Sequence, residues 1–350
     1  MTALLEVRNA TKVFGGGRVL HKNAGMVALN KFSMKIESEP PSITAIVGES
    51  GSGKTTLASL LLGVAQPTTG EVLYRGTELK NLKREDRDRF LRDIQVIFQD
   101  PYEVYNPFYK VDHVLETPIK KFGLAKNGQS PRELMEETLS AVGLRPDEML
   151  GRHPHQLSGG QRQRIMVARA LLIQPRLIIA DEPVSMVDAS LRATILESLE
   201  KLHHNFGISM LYITHDLTTA YQISHNIIVL YRGEVAEVGD VNLVVKKPLH
   251  PYTQLLIQSI PVADTKERWK PEAVGVDAVV SAAPSKVGCK FSSRCPYVMD
   301  ICRSQTPPLF QVDEHRAAAC FLYKDSPKLE STELDRLMVV PEMTSRANVA

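Results

Sequence analysis

Apolar and polar positions alternate near the N-terminus. Residues 4–49 read as β-rich: LLEVRN alternates, VALNKFSMKI holds an alternating run, and ITAIVG is a short apolar run suited to a buried strand. Gly15, Gly16 and Gly17 mark a loop. A helical segment is predicted from Lys54 to Leu62, then a turn and a short strand in PTTGEVLYRG. From about 82 to 145 the pattern is mostly helical, punctuated by Pro118 and Pro131, and the charged run LKREDRDRF reads as a solvated face. Farther on, the apolar strands RLIIAD and SMLYIT alternate with helical stretches such as VDASLRATILESLEKLHH. Strands separated by helices predict an α/β domain with a largely parallel central sheet.

The composition shifts after about residue 241, where prolines become frequent. Residues 261–288 read as a linker, 289–325 as a cysteine-rich segment, and 326–350 as a polar tail expected to be weakly ordered. The length, 350 residues, suits about two domains. Lys and Arg number 42 against 40 Asp and Glu, a net charge of +2, so no global basic field argues for nucleic acid. No apolar run approaches the ~18 residues of a membrane-spanning helix. The start, MTALLEVRNATKVF, lacks the features of a secretion signal, so a cytoplasmic location is expected.

Candidate chemistry begins at Gly48-Glu49-Ser50-Gly51-Ser52-Gly53-Lys54-Thr55, a G-x-x-x-x-G-K-[ST] loop between a predicted strand and a predicted helix. Glycines let the backbone curl so that its N–H groups converge on phosphates, and the helix N-terminus adds partial positive charge. Lys54 supplies a full charge for the β and γ phosphates, Thr55 a hydroxyl for Mg2+, and Thr56 a further phosphate contact. The apolar strand Leu177–Ala180 ends in Asp181 and Glu182. Asp181 suits Mg2+, and Glu182 suits polarising the water that attacks the γ-phosphate. His215 and Gln99 end other strand-like runs, where an imidazole or an amide can reach the γ-phosphate, Mg2+ or water.

Leu157-Ser158-Gly159-Gly160-Gln161 precedes a helical run and forms a second candidate anion cradle. It matches the signature motif of ABC ATPases, and the chain resembles that family over roughly residues 4–260, with the motifs in family order. The resemblance implies a P-loop ABC cassette: a RecA-like core, an antiparallel β subdomain and a helical subdomain at about 100–170, here with a small cysteine-rich C-terminal extension. It implies ATP sandwiched between the phosphate loop of one cassette and Ser158, Gly159, Gly160 and Gln161 of another. By the same resemblance Glu182 is the catalytic base, His215 the switch histidine, and Gln99 the link from Mg2+ to membrane subunits. Asp188, in Ser185-Met186-Val187-Asp188, resembles the residue coupling the two sites, although Met186-Val187 replace the usual Ala-Leu. Phe14 is the candidate for stacking on adenine.

The segment Pro248-Leu249-His250-Pro251-Tyr252-Thr253-Gln254 looks like that of oligopeptide and dipeptide importer ATPases, and Gln99-Asp100-Pro101-Tyr102 is typical of the same group. Some of its members import oligosaccharides instead. The resemblance implies a second ATPase subunit, two membrane permeases, an extracytoplasmic binding protein acting through them, and a peripheral place on the cytoplasmic face of the inner membrane. The alternative reading is a soluble ABC-type ATPase acting on nucleic acid or ribosomes. That would call for a coiled-coil insertion, a second cassette or a basic stripe, and the sequence has none. Cys289, Cys295, Cys302 and Cys320 are the only cysteines, and their spacing fits neither a zinc ribbon nor the short bacterial ferredoxin run. Four thiolates suit a 4Fe–4S cluster, Zn2+ or no metal at all. Related importer ATPases carry an iron–sulfur cluster on a matching pattern, so the resemblance implies a cluster here.

Overall fold

In the sequence, apolar residues alternate through the first strands and run unbroken through ITAIV; the two patterns end up in two different sheets. The computed structural model describes residues 3–15, 25–100, 105–125, 128–185, 187–260 and 287–340. Gly16, Gly17, most of the expected linker, residues 101–104 and Met186 lie outside the described residues. The first sheet is antiparallel, in the order β2-β1-β4-β5, from β1 (Leu5–Phe14), β2 (Met26–Ile36), β4 (Thr69–Tyr74) and β5 (Thr77–Glu78). This is the expected antiparallel β subdomain.

The second sheet has nine strands. β3 (Ile43–Val47) lies inside it, buried at every position and paired in parallel with β8 (Ser209–Thr214) and β9 (Asn226–Tyr231). β7 (Leu177–Asp181) and β6 (Ile94–Ile97) continue the parallel half. Strands covered on both faces need no polar alternation, which is why these runs are mostly apolar, with polar residues such as Ser209, Thr214 and Asn226 at strand ends. On the other side of β9 the sheet turns antiparallel through β10 (Glu234–Asp240), β12 (Arg316–Ala318), β11 (Leu309–Asp313) and β13 (Lys328–Leu329). The expected parallel sheet therefore describes only one half. In the other half the β9–β10 and β11–β12 hairpins must run antiparallel, and β10–β12 and β11–β13 pair antiparallel across longer connections.

Helix α1 (Lys54–Leu61) follows β3, and α2 (Arg84–Asp93) leads into β6. The helical layer comprises α3 (Asp112–Phe122), α4 (Pro131–Ala141), α5 (Pro146–Met149) and α6 (Gly159–Ile173), with α3 and α4 packed on α6. Pro131 opens α4 behind a Ser130–Glu133 capping box, whereas Pro118 lies inside α3 without ending it. The helical layer is fastened to the strand that leads to Gln99. Tyr105 Oη donates to the Arg162 carbonyl (2.9 Å), and Gln163 Nε2 donates to the Phe98 carbonyl (3.3 Å). Helices α7 (Ala189–Phe206), α8 (Leu217–Ile223), α9 (Val241–Lys246) and α10 (Pro251–Gln258) complete the frame.

The C-terminal segment does not stand apart: β12 pairs with β10, so it extends the main sheet. Nor is residue 326 the start of a loose tail. β13 joins β11, and a 3-10 helix at Ser331–Leu337 packs against β2 with Leu334 and Leu337 buried. Burying two leucines contributes about 3–6 kcal/mol toward holding this segment against the sheet.

Candidate active site

The phosphate loop joins β3 to α1. Gly53 caps α1 at φ +107, and a Cβ there would stand 2.5 Å from the Ala28 carbonyl oxygen; at Gly48 it would stand 2.2 Å from that of Leu230. A side chain at either place collides with backbone, so both positions require glycine. Lys54 is buried and folds back over the loop, donating from Nζ to the carbonyls of Gly48 (2.7 Å) and Glu49 (3.1 Å). Burial lowers its pKa, opposed by the charges of Glu182, Asp181 and Glu49. The Ser52 hydroxyl is buried without a hydrogen-bond partner. Glu49, Ser50, Gly51, Gly53, Lys54, Thr55 and Thr56 line a cleft of about 1580 Å³. Phe14, 45% exposed, lines the same cleft from the end of β1, with the Lys12 ammonium 5.2 Å from its ring centre.

The acidic strand end meets this loop. Asp181 ends β7, and its carboxyl is pushed up to about 6 by burial and by the neighbouring Glu182, with Lys54 pulling the other way. Glu182 has φ +45, a left-handed conformation uncommon outside glycine. Its N–H donates to Ile213 (2.8 Å), and its carbonyl accepts from the N–H and hydroxyl of Ser185 (3.2 and 3.0 Å). That turn aims the carboxylate into the cleft, between Gln99 Nε2 (3.1 Å) and His215 Nδ1 (3.0 Å). Three residues from three strand ends thus share one cluster of hydrogen bonds.

The second cradle is built but stands elsewhere. Ser158 caps α6, its hydroxyl accepting from the Gln161 N–H (3.2 Å) while Gln161 Oε1 accepts from the Ser158 N–H (2.9 Å). Ser158 is exposed, and neither it nor Gly159, Gly160 or Gln161 lines the cleft. Asp188 likewise sits exposed at the N-cap of α7, outside the lining.

Several lining residues escape sequence reasoning. Arg232 and Glu234, from the β9–β10 turn, and Lys290, from the cysteine segment, reach the cleft. Tyr252 is fully buried behind the phosphate loop, and its phenol oxygen accepts from the Glu49 N–H (2.8 Å). The only signal for it was its place in the His250-Pro251-Tyr252 segment.

The four cysteines are brought together. All are free thiols, and with Phe291, Met299 and Phe321 they line one small cavity. Burial pushes the Cys320 thiol up to about 11 and also raises Cys289 and Cys295. Among the described residues, however, no three His, Cys, Asp or Glu side chains form a group able to hold a metal ion. A ready-made metal site, expected at this position, is therefore not supported by the structure.

A phosphate loop facing an acidic strand end, at the carboxyl edge of a parallel sheet, defines a P-loop ATPase. The family described as "ABC transporter" matches residues 29–185, and that described as "Oligopeptide/dipeptide transporter, C-terminal region" matches residues 236–302. The chain belongs to the ABC transporter family, as an ATP-binding, ATP-hydrolysing subunit of the oligopeptide/dipeptide importer class. It is 40% identical to the putative oligopeptide transport ATP-binding protein YkfD of Bacillus subtilis, over 81% of this chain and 87% of that protein. It is 36% identical to the di/tripeptide transport ATP-binding protein DppF of Pseudomonas aeruginosa, over 91% and 97%. Among solved structures it resembles the dimeric, post-hydrolysis ATP-binding cassette MJ0796 bound to ADP and Pi. There the identity is 30% and the TM-score 0.59, covering 68% of this chain and 98% of that one. Among the described residues no helix is long and apolar enough to cross a membrane.

Proposed function

We propose that this chain powers uptake of oligopeptides or dipeptides by closing on a second ABC ATPase subunit around two ATP molecules. The observation that carries the reading is the Glu182 carboxylate, held between Gln99 and His215 in the cleft of the phosphate loop. ATP binds with its triphosphate on the loop amides and Lys54, and its adenine on Phe14. Thr55, Gln99 and Asp181 would hold Mg2+, which would supply charge neutralisation at the β and γ phosphates. Glu182 takes the proton of the attacking water, and His215 orients that carboxylate. Ser158, Gly159, Gly160 and Gln161 complete the partner's site, with Asp188 coupling the two. The exposure of Ser158, and the absence of all four residues from the lining of the chain's own cleft, support that arrangement.

Closure drives two permeases through the region of Gln99, on the cytoplasmic face of the inner membrane, with an extracytoplasmic receptor delivering cargo. Oligosaccharide is the alternative cargo. For the four cysteines the family resemblance alone supports a 4Fe–4S cluster with a structural or regulatory part; they converge on one cavity, Cys302 and Cys320 buried and Cys289 and Cys295 half-buried, but the described residues form no ready-made metal site. Co-expression with two permeases of the oligopeptide/dipeptide importer class tests the function. ATPase activity stimulated by a peptide-loaded receptor is expected, and activity indifferent to peptide but responsive to an oligosaccharide would replace the cargo. Anaerobic purification tests the cluster: a brown protein with about four irons per chain is expected. A colourless, iron-free protein would refute it.

A further inference from the structure

The cysteine segment touches the phosphate loop directly. Arg294, the residue before Cys295, donates from Nη1 to both carboxylate oxygens of Glu49 (3.0 and 3.1 Å). Its guanidinium lies over the rings of Phe291 (5.5 Å) and Tyr231 (6.0 Å), so its position is set by packing as well as by charge. The Glu49 N–H is taken by Tyr252 on the same side. A second tie runs through the β9–β10 turn. Lys290 Nζ donates to the Arg232 carbonyl (2.7 Å) and pairs with Glu234 (3.1 Å), while the Gly233 N–H donates to the Ser52 carbonyl (2.8 Å). Residues 289–295 thus supply two of the four cysteines and both anchors of the loop.

The charge arrangement gives these contacts a function. Glu49 is a carboxylate in the loop that receives a polyanion, and its side chain lines the nucleotide cleft. An unpaired carboxylate there repels the triphosphate; one held by a guanidinium is neutralised. We propose that Arg294 is a positioning residue for ATP binding, acting through Glu49, so that the C-terminal segment sets the nucleotide affinity of the phosphate loop. Phe291, Tyr252 and Tyr231 form the rigid wall against which this clamp works, with Tyr231 and Tyr252 ring centres 4.4 Å apart.

The test is equilibrium binding of a fluorescent, magnesium-bound ATP analogue to the full chain, together with the thermal midpoint of each variant. Arg294→Ala is expected to weaken binding roughly fivefold, and Arg294→Lys by less, because a lysine keeps the charge but loses the fork. In a Glu49→Gln background, Arg294→Ala is expected to cost less than about twofold, since no carboxylate remains to be neutralised. A purely structural Arg294 predicts something else: a lowered thermal midpoint in both backgrounds with the dissociation constant unmoved. That result would overturn the proposal, as would an equal loss of affinity with and without Glu49. In steady-state hydrolysis loss of the clamp in Arg294→Ala should raise KM and leave kcat within about twofold, because the clamp acts on the bound ground state and transition state alike.

Discussion

The two anion cradles of this chain share a local design and differ in how they are finished. Each is a glycine-containing turn at a helix N-terminus, the first leading into α1 and the second into α6. Around the first, the chain supplies everything within reach. Lys54 lies folded over the loop, the Gln99–Glu182–His215 cluster faces it, and Arg294 and Tyr252 brace it from behind. The second has a complete capping box, and Ser158 faces solvent, while none of its residues lines the nucleotide cleft. Its buried Gly160 has an internal reason to be glycine, since a Cβ there would stand 2.6 Å from the Leu191 side chain. The outward-facing Ser158 and the helix N-terminus it caps are what remain open to something approaching from outside. The first cradle is built to bind, and the second to be brought to a bound ligand.

That contrast can be broken in order of effect. Glu182→Gln disables the first cradle's chemistry while keeping its shape, so turnover should fall at least about a hundredfold with ATP binding retained. A MgATP-dependent dimer should then accumulate in size-exclusion chromatography; unaltered turnover would remove Glu182 from its role. Ser158→Arg attacks the second cradle. Turnover should drop roughly tenfold or more, while the single subunit binds nucleotide as tightly as before. If binding to the isolated subunit weakens equally, the two cradles are not separate. Phe14→Ala tests the outer wall of the first cradle: nucleotide affinity should fall about three- to tenfold, with Phe14→Trp preserving it.

The smallest effect lies beneath the first cradle. His250 caps α10, and its Nδ1 accepts from the Tyr252 N–H (3.0 Å), which requires a neutral ring. Burial pushes its pKa down to about 4. A folded value below the unfolded one, about 6.5, gives stability that is full above pH 6.5 and lost as pH falls toward 4. One such proton weakens the fold by up to about 1.4 kcal/mol per pH unit in that window. His250→Asn keeps a capping acceptor without titrating. Its urea midpoint should fall less steeply between pH 6.5 and 5 than that of the unaltered chain, and identical slopes would show that other groups control the acid limb.

Both cradles were legible in the sequence because each is a contiguous run whose chemistry is local. So were β3, β7 and β8, whose burial on both faces leaves an unbroken apolar signature. Convergence was partly legible: the ABC resemblance grouped Gln99, Glu182 and His215, but the left-handed turn that aims Glu182 has no mark in the residues around it. The Arg294–Glu49 pair was invisible, since its partners are 245 residues apart and nothing local distinguishes either from a surface charge. The C-terminal strands escaped for a different reason. A three-residue β12 and a two-residue β13 are too short to show a period, and only their neighbours make them strands. The docking of Ser331–Leu337 is not legible either, because Leu334 and Leu337, which are buried there, are a minority in a polar stretch.

The pairing of β12 with β10 also bears on the order in which the protein is made. When the ribosome has released the cassette through β10, that strand is an open edge of the main sheet. It stays so until the cysteine segment has emerged and β12 can cover it. An uncovered edge is a template for pairing with another chain. The C-terminal segment therefore acts as the closing piece of biogenesis, and trimming the chain to its cassette leaves a permanently unfinished sheet.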